Sequence, residues 1–216
     1  MKIIAVNVGQ PREHVWHGQA VTTGIFKSPV TGLVRVRALN LDGDRQADLS
    51  VHGGPEKAIY AYPVEHYPYW HEQLPHTSFS WGNFGENLST QGLLEDELCI
   101  GDTLCIGSAV LTVTQPRLPC YKLALRFDRD DMTKQFFMSG RLGFYFAVAK
   151  EGELQAGDQV EFVSRDPNRL SVNDLFHLYF SKSPDLKLLE RALQVNALPQ
   201  SWKDGLKERF GAIRER

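Results

Sequence analysis

Cysteine is scarce in this chain: three in 216 residues, an odd number with no C-x-x-C pair. That excludes a secreted scaffold stapled by disulfides and fits a reducing compartment. Long apolar runs are also missing, and nothing approaches the length of a membrane span. The N-terminus, Met1 to Gly9, is too short an apolar run for a signal peptide and lacks a clear cleavage site; it reads as a first strand. A cytoplasmic protein with no membrane partner is the expectation. Net charge is small as well. A formal value of −2 argues against a nucleic-acid groove binder, although local clusters of cations would still steer a small anion.

What is present is ordinary globular material, with 42% hydrophobic and 23% charged residues, enough for one large domain or one domain with a small appendage. The first ~165 residues read as short strands with irregular connections. Strands are expected at 3–8, 21–26, 33–38, 58–62, 103–106, 109–114, 144–149 and 159–163. Gly101-Asp102 and Gly157-Asp158 each turn into an alternating run. Many short strands with few helices between them predict a mainly β protein built as a barrel. Helices should interrupt it at 63–74, 120–127 and about 130–139. Composition changes at Arg165-Asp166-Pro167-Asn168, a turn-rich linker. The division expected is a barrel domain over 1–165 and a three-helix extension over 166–216. Ser171-Val172-Asn173-Asp174 and Ser201-Trp202-Lys203-Asp204 read as capping boxes, and Ser183-Pro184-Asp185 as a start with proline at the first helical position. So little helix holds no core alone, so it should pack on the barrel, on itself or on a second subunit, which makes a homodimer one expectation.

Three segments carry chemistry. The first is Gln115-Pro116-Arg117-Leu118-Pro119-Cys120-Tyr121-Lys122-Leu123. Proline before the cysteine pre-sets a turn or a first helical position, between an apolar run and a short amphipathic stretch. A thiol at such a strand-to-helix corner points into the cleft that the corner lines. The helix N-terminus, Arg117 and Lys122 should favour the thiolate, the form needed in a nucleophile or metal ligand. Cys99 and Cys105, among Leu98, Ile100, Leu104 and Ile106, read as inert core.

The second segment is Val51-His52-Gly53-Gly54-Pro55-Glu56-Lys57. A loop with two glycines and a proline exposes backbone N–H groups that cradle anions, flanked by His52 and Lys57. A sharp corner in which glycine only permits positive φ explains it equally well. The third is Gly82-Asn83-Phe84-Gly85-Glu86-Asn87-Leu88, a turn in which Asn87 offers a neutral donor and acceptor and Glu86 a carboxylate. Other signals deflate. His71-Glu72-Gln73-Leu74-Pro75-His76 has the wrong histidine spacing for a zinc helix and is broken by Pro75. Tyr60, Tyr62, Tyr67, Tyr69 and Trp70 read as core, and Arg35 and Arg37 as a solvated strand face.

With these segments in one chain, the sequence resembles the MOSC-domain family, named for the C-terminal part of molybdenum-cofactor sulfurases. The matching stretches are Val51 to Pro55, Tyr62-Pro63-Val64-Glu65-His66-Tyr67, Phe84 to Leu88 and Gln115 to Leu123; the tail resembles the three-helix extension of one subgroup. One departure is Glu56, where the family pattern has aspartate; the charge is kept. The resemblance implies a β-rich barrel in which Cys120 ligates molybdenum held by a pterin dithiolene. It implies reduction of N-hydroxylated bases such as 6-N-hydroxylaminopurine to the parent amine, with electrons from a flavin-containing reductase. On that reading Arg117 and Lys122 bind the pterin phosphate, Gly53 and Gly54 add N–H donors, and Asn87 hydrogen-bonds the ring. Lys57 borders the cofactor, and His52 delivers a proton as the N–O bond breaks. Two rival readings use the same pocket: a non-enzymatic carrier of the cofactor or of sulfur on Cys120, and a metal-free cysteine hydrolase using Cys120, His52 and Asn87. An interaction module with an inert cysteine is the least specific.

Overall fold

A computed structural model describes residues 1–48 and 53–211. Among them the strands are β1 (Lys2–Val8), β2 (Arg12–Trp16), β3 (Gln19–Thr23), β4 (Ser28–Val30), β5 (Val34–Val36), β6 (Ile59–Pro63), β7 (Leu88–Gln91), β8 (Thr103–Ile106), β9 (Ala109–Pro116), β10 (Phe144–Lys150), β11 (Gly152–Leu154) and β12 (Val160–Ser164). The helices are α1 (Tyr67–Gln73), α2 (Tyr121–Phe127), α3 (Met132–Ser139), α4 (Val172–Phe180), α5 (Leu186–Gln194) and α6 (Gln200–Phe210). Eight strands form one mixed sheet in the order β12-β8-β9-β10-β6-β7-β1-β4, and only the β6–β7 pair is parallel.

The expected barrel is rolled but is not a closed ladder. β1 returns to the turn before β12, where the N–H of Ile3 donates to Asp158 O (2.9 Å) and those of Gly157 and Val160 donate to Ile3 O and Met1 O. One isolated bridge, Lys2–Gln159, completes this seam. The Gly157-Asp158 turn occupies the edge that β12 would need, since Gly157 takes φ +94° and pairing resumes only at Val160.

Strand spacing in the sequence locates most of the sheet but misses β2, β4, β7 and β11. β2 and β3 form a hairpin around His17-Gly18, both at positive φ (51° and 75°), so the pair serves as the mirror-image turn usually signalled by Asn-Gly. The strand expected over 21–26 stops at Thr23. A Cβ at Gly24 would lie 2.4 Å from Arg45 O, so the chain leaves the sheet where another backbone crosses it.

The tail packs on the barrel and on itself. Val172, Leu175, Leu189, Trp202, Leu206 and Phe210 belong to the same buried cluster as Ile3, Leu104, Leu111 and Phe146. Ser171 forms the expected capping box with Asp174. The other two helix starts differ from expectation. Pro184 does not open α5: Asp185 caps it, its carboxylate accepting the N–H groups of Lys187 and Leu188, and the helix starts at Leu186. α6 begins at Gln200, with Pro199 O accepting from Trp202 and Lys203, so Ser201 lies inside the first turn and caps nothing.

Asp44 ties three distant segments together beneath the cleft. Its side chain is fully buried, accepts from Gly9 N (2.9 Å) and Asn87 Nδ2 (2.8 Å), and pairs with the Lys27 ammonium. Burial pulls the Lys27 pKa down while Asp44 pushes it back up. Removing one partner of such a pair strands a charge in the interior. Asp44→Asn is therefore expected to lower unfolding free energy by about 3–5 kcal/mol in urea titrations; a loss below about 1 kcal/mol, the range of an exposed pair, would contradict this.

Candidate functional site

β9 ends at Pro116 and α2 begins at Tyr121, so Arg117 to Cys120 turn the corner between them. Arg117 is only 5% exposed. Its N–H donates to Gly143 O (3.1 Å), which fixes the backbone as β10 starts. The guanidinium carbon lies 5.0 Å from the ring centres of both Tyr60 and Phe136. Aromatic faces attract a cation but accept no conventional hydrogen bond, and Nη1 is buried with no partner. Burial works against the Arg117 charge, the phenols of Tyr60 and Tyr145 and the Cys120 thiol support it, and the balance holds its pKa above the ordinary value. An orphaned donor of this kind costs about 1–3 kcal/mol until something accepts from it.

Cys120 stands at the N-cap of α2, half-buried and extended (φ −127°, ψ 170°). Its carbonyl accepts from Leu123 N and Thr133 Oγ1, while the sulfur does not cap the helix. Lys122, two residues further on in the first turn of α2, is buried. Cys99 is buried as expected. Cys105 is not core: it sits on the outer, partly exposed face of β8, with its thiol toward Gly107 O.

Part of the glycine loop is described. Gly53 and Gly54 take φ +120° and +86°, and Pro55–Lys57 form a single tight helical turn closed by Lys57 N to Gly54 O (3.1 Å). β9 pins this turn: Thr114 Oγ1 and Gln115 Nε2 both donate to Glu56 O, at 2.6 and 3.3 Å. His52 lies outside the described residues.

One cleft, open to solvent, brings Cys120, Arg117, Lys122, Lys57, Gly53 and Asn87 together around about 670 Å³ of space that includes part of the solvent at its mouth. Gly54 does not line it. Asn87 reaches the wall with its amide already engaged: Oδ1 accepts from Tyr60 N, and Nδ2 donates to Asp44 and Asn7 O. Glu86 points elsewhere. It is fully buried and accepts from Tyr67 Oη, Gly82 N, Phe84 N and Ser89 Oγ, which makes it the staple of its own loop. Burial raises its pKa against those hydrogen bonds.

Lys27, Arg45, Tyr60 and Tyr145 also line the cleft, and none of them was expected there from the sequence. For Tyr145 a signal existed. Phe144 and Phe146 are fully buried in the core, and strand alternation turns the residue between them to the other face. Lys27 sits in no recognisable motif; a fold-level contact with Asp44 places it. Five cations and no carboxylate line the cleft among the described residues. Lys27 is neutralised by Asp44; in a chain of net charge −2, the other four give the cleft a positive field suited to an anion.

Comparison with known proteins identifies the family and the fold. Residues 48–161 match the family model described as MOSC domain, and residues 170–209 match the model described as YiiM-like, 3-alpha helix domain. The chain belongs to the MOSC-domain family and carries the YiiM-like three-helix domain. It is 40% identical to YflK of Bacillus subtilis, covering 93% of this chain and 90% of that one. It is 36% identical to Protein YiiM of Escherichia coli, over 87% and 84%. A Gibberella moniliformis protein called Reductase is 32% identical over 89% of this chain, which spans 35% of that longer protein. The crystal structure of YiiM from Geobacillus stearothermophilus superposes with a TM-score of 0.80 at 34% identity, covering 96% of this chain and 98% of its own. That of YiiM from Escherichia coli gives 0.77 at 30%, over 98% and 94%.

The placement of the thiols predicts their labelling. Iodoacetamide should modify Cys120 and Cys105 in the native protein and Cys99 only after unfolding, by peptide mass spectrometry. Inorganic pyrophosphate, a small polyanion, should slow labelling of Cys120 and leave Cys105 unchanged. Equal protection of both, or a silent Cys120, would contradict the assignment of the cleft.

Proposed function

We propose that this protein is a molybdenum-cofactor-dependent reductase of N-hydroxylated nucleobases and related N-hydroxylated compounds. The observation that carries the proposal is the buried, unsatisfied Arg117 Nη1 beside Cys120, in a cleft lined by cations. Membership of the family and the reductase-named relative support it.

The donor set fits such a group. Among the described residues no three His, Cys, Asp or Glu side chains converge as a metal site. A lone thiolate would thus be the protein's contribution to a metal whose remaining donors arrive with an organic ligand. Sulfur is a suitable donor for molybdenum already carrying dithiolene sulfur. The cofactor, when bound, supplies the two-electron redox chemistry.

The protein's own residues do the rest. Arg117 presents a planar fork to a phosphate, and Lys122 and Lys57 add point charges. Tyr60 and Tyr145 give the cleft flat walls against which a base or pterin ring would stack. Asn87, tied to Tyr60 N and Asp44, holds one wall in place. His52 is our candidate for proton delivery. The overall step is R–NH–OH plus two electrons and two protons, giving R–NH2 and water: the N–O bond breaks, nitrogen is reduced, and oxygen leaves as water. We assign the electron supply to a separate flavin-containing reductase.

Wild-type protein and Cys120→Ser, prepared from cells that make the cofactor, test the reading. Wild type should hold molybdenum by elemental mass spectrometry and convert 6-N-hydroxylaminopurine to adenine with a chemical reductant, while Cys120→Ser should lose the conversion. Conversion by metal-free protein, or full activity in Cys120→Ser, would sink the proposal. So would release of the cofactor to an acceptor with no turnover.

A further inference from the structure

We infer that the three-helix extension positions the glycine loop of the cleft through a hydrogen-bond relay from Trp202 by way of Gln115. The inference stands whatever the cleft binds. Trp202 Nε1 donates to Gln115 Oε1 at 2.8 Å in a fully buried setting, between residues 87 apart in sequence. Gln115 Nε2 donates onward to Glu56 O at 3.3 Å. Glu56 O lies one residue from Lys57 and three from Gly53, both of which line the cleft.

The relay has a direction set by donor chemistry. An indole N–H only donates, so the amide oxygen must face it, which turns the amide NH2 toward the Glu56 carbonyl. Without the indole, the amide loses the shorter of the two contacts that orient it and keeps only the longer one to Glu56 O. Gln115 is 4% exposed and Trp202 is 6% exposed, so neither takes water as a ready substitute. Trp202 is itself held edge-on against Tyr179 of α4, with ring centres 4.7 Å apart, and by its backbone N–H to Pro199 O (3.0 Å). A helix tail whose only task was to cover the barrel would need an apolar contact here. The polar chain instead runs from α6 through the end of strand β9 to the loop.

Trp202→Phe keeps a ring against Tyr179 and removes the N–H. Hydrogen–deuterium exchange on the full chain reads the result residue by residue. The amides of Lys57 and Ala58 should exchange about fivefold faster, the effect of losing one buried hydrogen bond, with β1 amides unchanged. Gln115→Met, of similar volume, should loosen the same amides, and adding Trp202→Phe to it should loosen them no further. A rise spread evenly over β1, α4 and the loop would mean that Trp202 only fills space and would overturn the inference. So would additive effects of the two substitutions, or an unchanged loop in Trp202→Phe.

Discussion

A guanidinium kept out of water between two aromatic rings is the constraint around which this molecule is arranged. Burying an uncompensated charge is expensive, and the pull of a ring face on a cation, about 0.5–2 kcal/mol, offsets only part of the cost. Arg117 nevertheless sits between Tyr60 and Phe136, with one terminal nitrogen lacking any acceptor. The position holds because its backbone is locked between β9 and β10 and its rings belong to a second, aromatic core. That core, built on Tyr62, Trp70, Phe84 and Phe136, is stiff: Trp70 Nε1 donates to Tyr62 Oη at 2.7 Å, and the rings interlock at 4.6–5.8 Å. The fold thus keeps a cation facing a cleft at its own expense, an expense that an anionic ligand would recover on binding.

The same logic runs through the other polar groups near the cleft. Asp44 and Lys27 satisfy one another in the interior, and Glu86 accepts four hydrogen bonds from its own loop and neighbours. These are frame, not reagents: their bonding capacity is used internally. Arg117 differs in having a donor left over. That difference separates groups that hold the site from one that waits for a ligand.

Much of this was legible beforehand, for local reasons. The corner at Pro119-Cys120 announces itself because proline fixes φ and an apolar strand precedes it. The first tail helix is visible because Ser171 and Asp174 satisfy each other within four residues. What stays hidden has an equally physical origin. For Asn87, sequence shows the donor and acceptor that the side chain offers, not the partners the fold has already given it. The open seam of the barrel goes unseen because strand spacing carries no record of the Gly157 turn that interrupts it. Lys27 and Asp44 are seventeen residues apart without a motif, and only the crossing of backbones at Gly24 and Arg45 brings them together.

The central claim is that the Cys120 sulfur and the cations around it receive a phosphate-bearing cofactor that carries molybdenum. X-ray absorption at the molybdenum edge, on wild type and Cys120→Ser loaded side by side, tests it most directly. The account predicts one more sulfur donor on the metal in wild type than in the variant. Identical sulfur coordination in the two proteins would contradict it.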